Sequence, residues 1–473
     1  MNETLPAYLT GGLILTLVLG AVFLFRSRFD PFAPVWLFLI GYFQVYVIQA
    51  LSYRDWAVSV HGEQIVESAN WRAFWAILVF LAVYAWGPGR WVSGKVPRAP
   101  FHWSMPTLSV VVPCMLTWGF FCSVVMIIQG TETETSKGEQ LLRQFYFMML
   151  GSGILLMVTG SKRERPAKLL FLAGLCVAMC FVMLWIFQGK RSPSLIGILA
   201  CACAYYGPRF KRPPVAVLLV LALVGSMVVA VSLAWRNQRL YDRSATGFVQ
   251  FLADFDPSTA LVNLNLAEAE NPNAHKKEFR SKETEEYGGF LLMISTVPER
   301  SGYDYGANYL RLFTTFIPRI VWQDKPLPGR DKWIAAWMAG SEFKRDDTFT
   351  GPAIGILGAL QLNGGAPATA IVMSIIAVLL RSAYEYYRRY QFTCWAQAWW
   401  ALTYYNAWLM TVNDDPLVWF YYIYGFSIMP PMVFLWLINR FAETDAEARW
   451  AERMRHWRNR RTTHEGQVVG ISH

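Results

Sequence analysis

The sequence predicts an all-α polytopic membrane protein of about eleven transmembrane helices, with one long extracytoplasmic loop before the last three. Three observations predict it. The 473 residues are 54% hydrophobic and 16% charged, where soluble domains carry about 25% charge. Apolar runs near the roughly 20 residues that cross a bilayer recur along the chain. Lys and Arg alternate between rich and poor in the short loops that join those runs.

The expected spans lie near 7–25, 35–51, 71–86, 108–128, 145–158, 169–187, 195–206, 215–233, 366–380, 392–410 and 417–438. The fifth, seventh and ninth are short and are expected to extend into their polar flanks. The first run has no basic segment before it and no small-residue cleavage site, so it is expected to be a retained span. One set of loops carries Arg26, Arg28, Arg90, Lys95, Arg98, Lys162, Arg163, Arg165, Lys168, Arg209, Lys211, Arg212, Arg381, Arg388 and Arg389. The alternate short loops carry only Arg54, Lys137, Arg143, Lys190 and Arg191. Cytoplasmic loops are the cation-rich ones, which places the amino terminus outside and the carboxy terminus in the cytoplasm. The net charge of +10 therefore reflects span ends and gives no argument for a nucleic acid partner.

Four segments follow: helices over 1–235, about eight of them; an extracytoplasmic loop, 236–352; about three helices over 353–440; and a basic tail, 441–473. At about 115 residues the loop far exceeds ordinary connections, which marks it as functional or unstructured. Glu268 to Glu286 has too few apolar residues to bury itself. Phe248, Phe251, Leu252 and Phe255 precede it, and runs at 290–294 and 309–317 follow, all too short to span. Their spacing predicts helices lying on the membrane mouth or folding back against it. Five glycines in Gly351 to Gly365 allow either close helix contact or a broken helix. In the tail, Arg453, Arg455, Arg458, Arg460 and Arg461 alternate with Trp450 and Trp457, as suits a helix on an anionic leaflet. The seven cysteines fall within apolar runs and the six histidines lack ligand spacing, so neither a metal nor another cofactor is expected.

The chemistry is expected in Ile317-Pro318-Arg319-Ile320-Val321-Trp322-Gln323-Asp324-Lys325-Pro326. Each proline biases the residue before it away from the α region, so an extended turn is expected. It presents the fork of Arg319, the point charge of Lys325 and the carboxylate of Asp324, which suits a phosphate or diphosphate. The alternative is an interfacial loop with Trp322 at headgroup depth and the cations on lipid phosphates. Lys190, Arg191, Arg236, Arg239 and Arg243, with Arg311 upstream of the turn, add cations on the same predicted side. They serve either a lipid-linked diphosphate or, by snorkelling, lipid headgroups. A proton acceptor would come from Asp242, Asp254, Asp256, Asp304, Asp324, Glu342, Asp346 or Asp347, which the sequence does not rank. Asp324 also suits holding Lys325 or Arg319 in place.

Tyr303-Asp304-Tyr305-Gly306 with Tyr309-Leu310, then Ile317-Pro318-Arg319 and Trp322-Gln323-Asp324-Lys325-Pro326, resemble a region of the bacterial oligosaccharide repeat-unit (O-antigen) polymerases. Gly351-Pro352 and Gly358 through Gly365 are similar to the approach to a late span in that family. Gln361 and Leu362 depart from its pattern, and Ala359 stands where an acidic residue is expected. The resemblance covers about Tyr303 to Arg389. It implies a metal-independent glycan polymerase at the outer face of the bacterial inner membrane, acting on undecaprenyl-pyrophosphate-linked repeat units. Flippase and chain-length regulator proteins are the partners it implies. Arg319 and Lys325 would then hold the departing pyrophosphate. Arg191, Arg236 and Arg239 are expected around it on physical grounds alone. The alternatives are an O-antigen ligase-like transferase, a transporter or flippase of lipid-linked sugars, and a non-catalytic scaffold. Few charges inside the runs and no internal repeat weigh against transport.

Overall fold

The computed structural model describes residues 30–97, 103, 105–128, 143–161, 167–237, 244–256, 286–307, 309–310, 322, 353–412 and 428–442. Among them the regular elements are helices and no strand forms. In chain order these are α1 (Pro34–Ser52), α2 (Arg54–His61), α3 (Glu63–Trp86), α4 (Pro88–Lys95), α5 (Met105–Ile128), α6 (Phe147–Gly160), α7 (Lys168–Phe187) and α8 (Arg191–Tyr206). There follow α9 (Val215–Asn237), α10 (Ala245–Asp254), α11 (Glu286–Thr296), α12 (Gly355–Tyr390), α13 (Cys394–Thr403), α14 (Asn406–Val412) and α15 (Met429–Ala442). Six of them, α1, α3, α5, α7, α9 and α12, are long and apolar enough to cross a membrane. The chain is an all-α membrane protein.

Helix α1 and helices α5, α7 and α9 cover the apolar runs expected at 35–51, 108–128, 169–187 and 215–233. The run at 7–25 and the first part of 417–438 lie outside the described residues. Two elements depart from the apolar pattern. Helix α3 starts at Glu63, eight residues before the run, because Gly62 (φ 84°) turns the chain and the Glu63 carboxylate suits a first turn. The single run at 392–410 is two helices, α13 and α14, separated at Tyr404-Tyr405.

Contacts group the chain into two compact units: Met1–Val96, Asp256–Arg388 and Tyr404–Tyr424 in the first, Pro97–Phe255, Arg389–Thr403 and Gly425–His473 in the second. In unit 1, Val35, Phe38, Leu39, Tyr42 and Tyr46 recur at helical spacing and are buried. Phe38 stacks on Phe80 of α3 at 4.0 Å, and the Tyr42 hydroxyl donates to Ala73 O at 2.6 Å. Gly41 lets α14 approach: a Cβ there would strike Thr411 Oγ1 and lie 3.1 Å from Trp408 O. At one end Arg381 pairs with Glu385 at 2.6 Å, and Arg90 reaches the same carboxylate at 3.3 Å. Beside them the Tyr384 hydroxyl donates to Asp30 Oδ2 at 2.6 Å. Helix α11 is not laid on a surface as its composition allowed; Tyr287, Phe290, Leu291 and Met293 are fully buried.

Unit 2 is held by small residues. Gly153 of α6 and Gly174 of α7 face each other, and a Cβ on Gly174 would sit 2.5 Å from Gly153 O. Gly119 of α5 likewise meets the Met149 backbone of α6. Helix α10 is capped by Ser244, whose hydroxyl accepts from Gly247 N at 3.1 Å. Its Phe248 and Phe251 fold back onto Trp235, at 5.0 and 5.2 Å between ring centroids.

Candidate functional site

The polar interior of unit 1 is built around a break in α12. Gly364 (φ 145°, ψ 19°) and Gly365 (φ 67°, ψ −134°) interrupt the helix in conformations that a side chain resists. The arm before the break, 355–363, is apolar and buried, with Ile356, Leu357, Ala359 and Leu360 wholly enclosed. A polar side chain in such an arm needs a partner. Gln361 has two: its Nε2 donates to Val297 O at 2.7 Å, and its Oε1 accepts from Arg72 Nη1 of α3. Asp304 N donates to Leu362 O at 2.8 Å, which ties the turn after α11 to the same arm. Asn363 Nδ2 donates to Ala359 O at 2.8 Å, while its buried Oδ1 has no hydrogen-bond partner among the described residues.

The turn carrying Tyr303 lies against the break. A Cβ on Gly365 would stand 3.0 Å from the Tyr303 hydroxyl. Gly302, Tyr305 and Gly306 all adopt positive φ here, and Tyr303 meets Tyr305 edge-on at 5.6 Å. Tyr303 is also within electrostatic reach of Arg72.

A second set of polar groups fixes the start of the arm. Residues Gln44–Gln49 of α1 form a π-helical turn, a local widening found often at functional positions. Gln49 Nε2 donates to Glu286 Oε2 at 2.7 Å, and Gln49 Oε1 accepts from Tyr287 N at 3.0 Å. The Tyr287 hydroxyl donates to Asn70 Oδ1 at 3.0 Å; burial pushes its pKa well above the usual phenolic range, so it stays a neutral donor. Tyr46 Oη accepts from Leu357 N at 3.0 Å, satisfying a first-turn amide of the arm.

Two of the stretches that carry the resemblance, 303–310 and 351–365, thus meet where both are described, while 317–321 and 323–326 lie outside the described residues. Of the carboxylates considered as proton acceptors, Asp304 is buried at the break, and Asp254 and Asp256 are exposed at the end of α10. Arg319, Asp324, Lys325, Arg311 and Arg239 lie outside the described residues; Trp322 is exposed. In unit 2, Gly189 (φ 67°) turns α7 into α8, and a Cβ on it would be 3.0 Å from Arg236 Cβ. The turn leading into Arg191 therefore abuts the end of α9 that carries Arg236. Lys190 Nζ sits over the Trp185 ring at 5.7 Å, and Trp235 Nε1 donates to Phe187 O at 2.7 Å. No group of His, Cys, Asp and Glu that could hold a metal occurs among the described residues.

Arg72, Gln361, Gln49 and Glu286 were not expected in the site. A cation inside a span-length helix was the available signal for Arg72. In the sequence it stands at the end of an apolar run, which begins at Trp71, whereas α3 begins at Glu63. At about 1.5 Å per residue, Arg72 lies some 13 Å into the helix.

Comparison with protein-family models, curated proteins and solved structures finds no match to this chain. Fold and site together define an all-α membrane protein with a discontinuous helix, an arginine within a span-length helix and a buried polar network around them.

Proposed function

We propose that this protein polymerises undecaprenyl-pyrophosphate-linked oligosaccharide repeat units at the outer face of the bacterial inner membrane. The observation that carries the reading is the meeting of Tyr303-Asp304 with the arm ending at Gly364-Gly365, the two described stretches in which the resemblance lies. In this reading the chain has about eleven spans, the loop 236–352 is extracytoplasmic and the tail is cytoplasmic. A hydroxyl of an incoming repeat unit attacks the anomeric carbon of the growing chain. The bond from that carbon to the diphosphate breaks, and the hydroxyl proton passes to a carboxylate. Arg319 and Lys325 hold the diphosphate as its charge rises, with Asp324 orienting them and Arg311 and Trp322 near the lipid donor, while Arg191, Arg236 and Arg239 are separate candidate substrate contacts.

The test is purified full-length protein with a defined lipid-linked repeat and products sized on a gel. A ladder is expected, lost in Arg319→Ala with the protein still membrane-inserted; unchanged chain lengths in that variant remove Arg319 from the chemistry. Reporter fusions that put Trp322 in the cytosol would overturn the topology. In cells, loss of the gene should leave single-repeat glycolipid; long unattached chains would instead indicate a ligase.

A second reading draws on a specific observation. Transporters bind at discontinuous helices with ionisable residues inside their spans, and unit 1 has a broken helix at Gly364-Gly365 and Arg72 within span-length α3. A flippase of lipid-linked sugars would move a labelled repeat lipid across proteoliposomes without lengthening it.

A further inference from the structure

Two arginines of unit 1, Arg381 and Arg72, differ in how their charge is met among the described residues. Arg381, whose side chain is 13% exposed, lies 2.6 Å from the Glu385 carboxylate and faces the Tyr84 ring. Arg72 is half-buried on α3, and its hydrogen bond goes to the neutral amide oxygen of Gln361. Among the described residues no carboxylate comes within ion-pair distance of it. A guanidinium offers five N–H donors, so one amide acceptor leaves most of its capacity to be filled. Arg72 lies inside a span-length helix, and ionisable residues so placed mark ligand or ion pathways. Gln361 is itself fixed by Val297 O, so the guanidinium is held and not free to snorkel.

We propose that Arg72 is an anion-binding residue, taking an oxygen of a phosphate or diphosphate ester beside the α12 break, with Gln361 as its positioning residue and Tyr303 flanking the ligand. The inference rests on the reading above for the ligand class and adds a second cation site to it, apart from Arg319 and Lys325 in sequence. A planar fork that meets a phosphate edge in two bonds also accounts for arginine rather than lysine at this position.

The experiment uses full-length protein in nanodiscs, with farnesyl diphosphate, farnesol and inorganic diphosphate as probes. Farnesyl diphosphate should bind, and Arg72→Gln should weaken it by roughly ten- to hundredfold, as the loss of a charge-assisted contact does. Arg72→Lys should recover part of that loss, and farnesol binding should not change. Gln361→Glu supplies a carboxylate from within and should abolish farnesyl diphosphate binding in a protein that remains folded. Displacement by inorganic diphosphate supports a site for the anion from any source; Arg72-dependent binding without displacement supports a site for the lipid headgroup. Wild-type affinity in Arg72→Gln, or in folded Gln361→Glu, overturns the proposal. The two readings fail separately. Arg72-dependent binding by a protein that never lengthens a defined repeat removes polymerisation and keeps the site. Lengthening with undiminished farnesyl diphosphate affinity in Arg72→Gln removes the site and keeps polymerisation.

Discussion

Alanine at Gly174 and alanine at Gly225 should have opposite effects on unit 2, although both replace a glycine in an apolar helix. At Gly174 the new Cβ would lie 2.5 Å from Gly153 O and 2.7 Å from Met157 N. Ordinary contact begins near 3.4 Å, so α6 and α7 must part by about 0.9 Å, the difference between 3.4 and 2.5. Both obstacles are backbone atoms, and no rotamer change relieves them. Overpacking of this kind costs about 1–3 kcal/mol, against which alanine's better helix propensity returns at most about 1. Set against the full propensity gain, a net loss of up to about 2 kcal/mol follows. At Gly225 the nearest atom is Leu195 Cδ2 at 3.3 Å, a side-chain methyl that can move aside. There the propensity gain should dominate, giving no loss or a gain of up to about 1 kcal/mol. The propensity gain is common to both, so the gap between the variants is the overpacking cost of about 1–3 kcal/mol, or roughly 2–4 °C per kcal/mol in melting temperature for a unit of this size. Thiol-reactive dye reads it directly, because Cys122, Cys203 and Cys394 are buried in unit 2 and label only on unfolding. Equal melting temperatures for the two variants, or a Gly174→Ala protein above wild type, would refute the close-contact argument.

Three further outcomes are expected. Gly365→Ala should cost about 1–3 kcal/mol, since its positive φ strains a side chain and the Cβ crowds the Tyr303 hydroxyl at 3.0 Å; thermal denaturation checks this. Glu385→Gln leaves buried Arg381 without a counter-charge and should cost about 3–5 kcal/mol, whereas Arg90→Gln, at a side chain 67% exposed, should cost under about 1; melting curves should rank them so. Burial lowers the His61 pKa from 6.5, so the folded state favours the neutral imidazole. Its stability contribution is complete above about 6.5 and falls as pH drops from there through the lowered folded value. His61→Gln should flatten that part of the melting-temperature profile, and an unchanged acid slope would exclude His61 as its source.

The sequence makes helices legible because a bilayer fixes run length, so α1, α5, α7 and α9 coincide with apolar stretches. Helix ends are less legible. Arg381 and Glu385 read as a loop side, yet as an i,i+4 pair at 2.6 Å they carry α12 on to Tyr390. Within 392–410 there is no glycine, proline or charged residue at Thr403-Tyr404-Tyr405 or on either side, so no breaker residue marks where the helix stops. Yet Tyr404 there donates to Pro31 O at 2.5 Å, a tertiary contact far away in sequence.

The site shows the same limit more sharply. Gly364-Gly365 was legible as a close contact or a break, and only the backbone angles decide for a break. The partner of Arg72 is a neutral amide 289 residues away. Charge patterning finds residues by their sign, and a glutamine has none, so no local rule pairs Gln361 with an arginine. Polar groups that serve one another across a fold leave composition unchanged wherever they stand. That is why cations grouped at span ends stood out in the sequence, while the one arginine inside α3, held by an amide from a distant arm, did not.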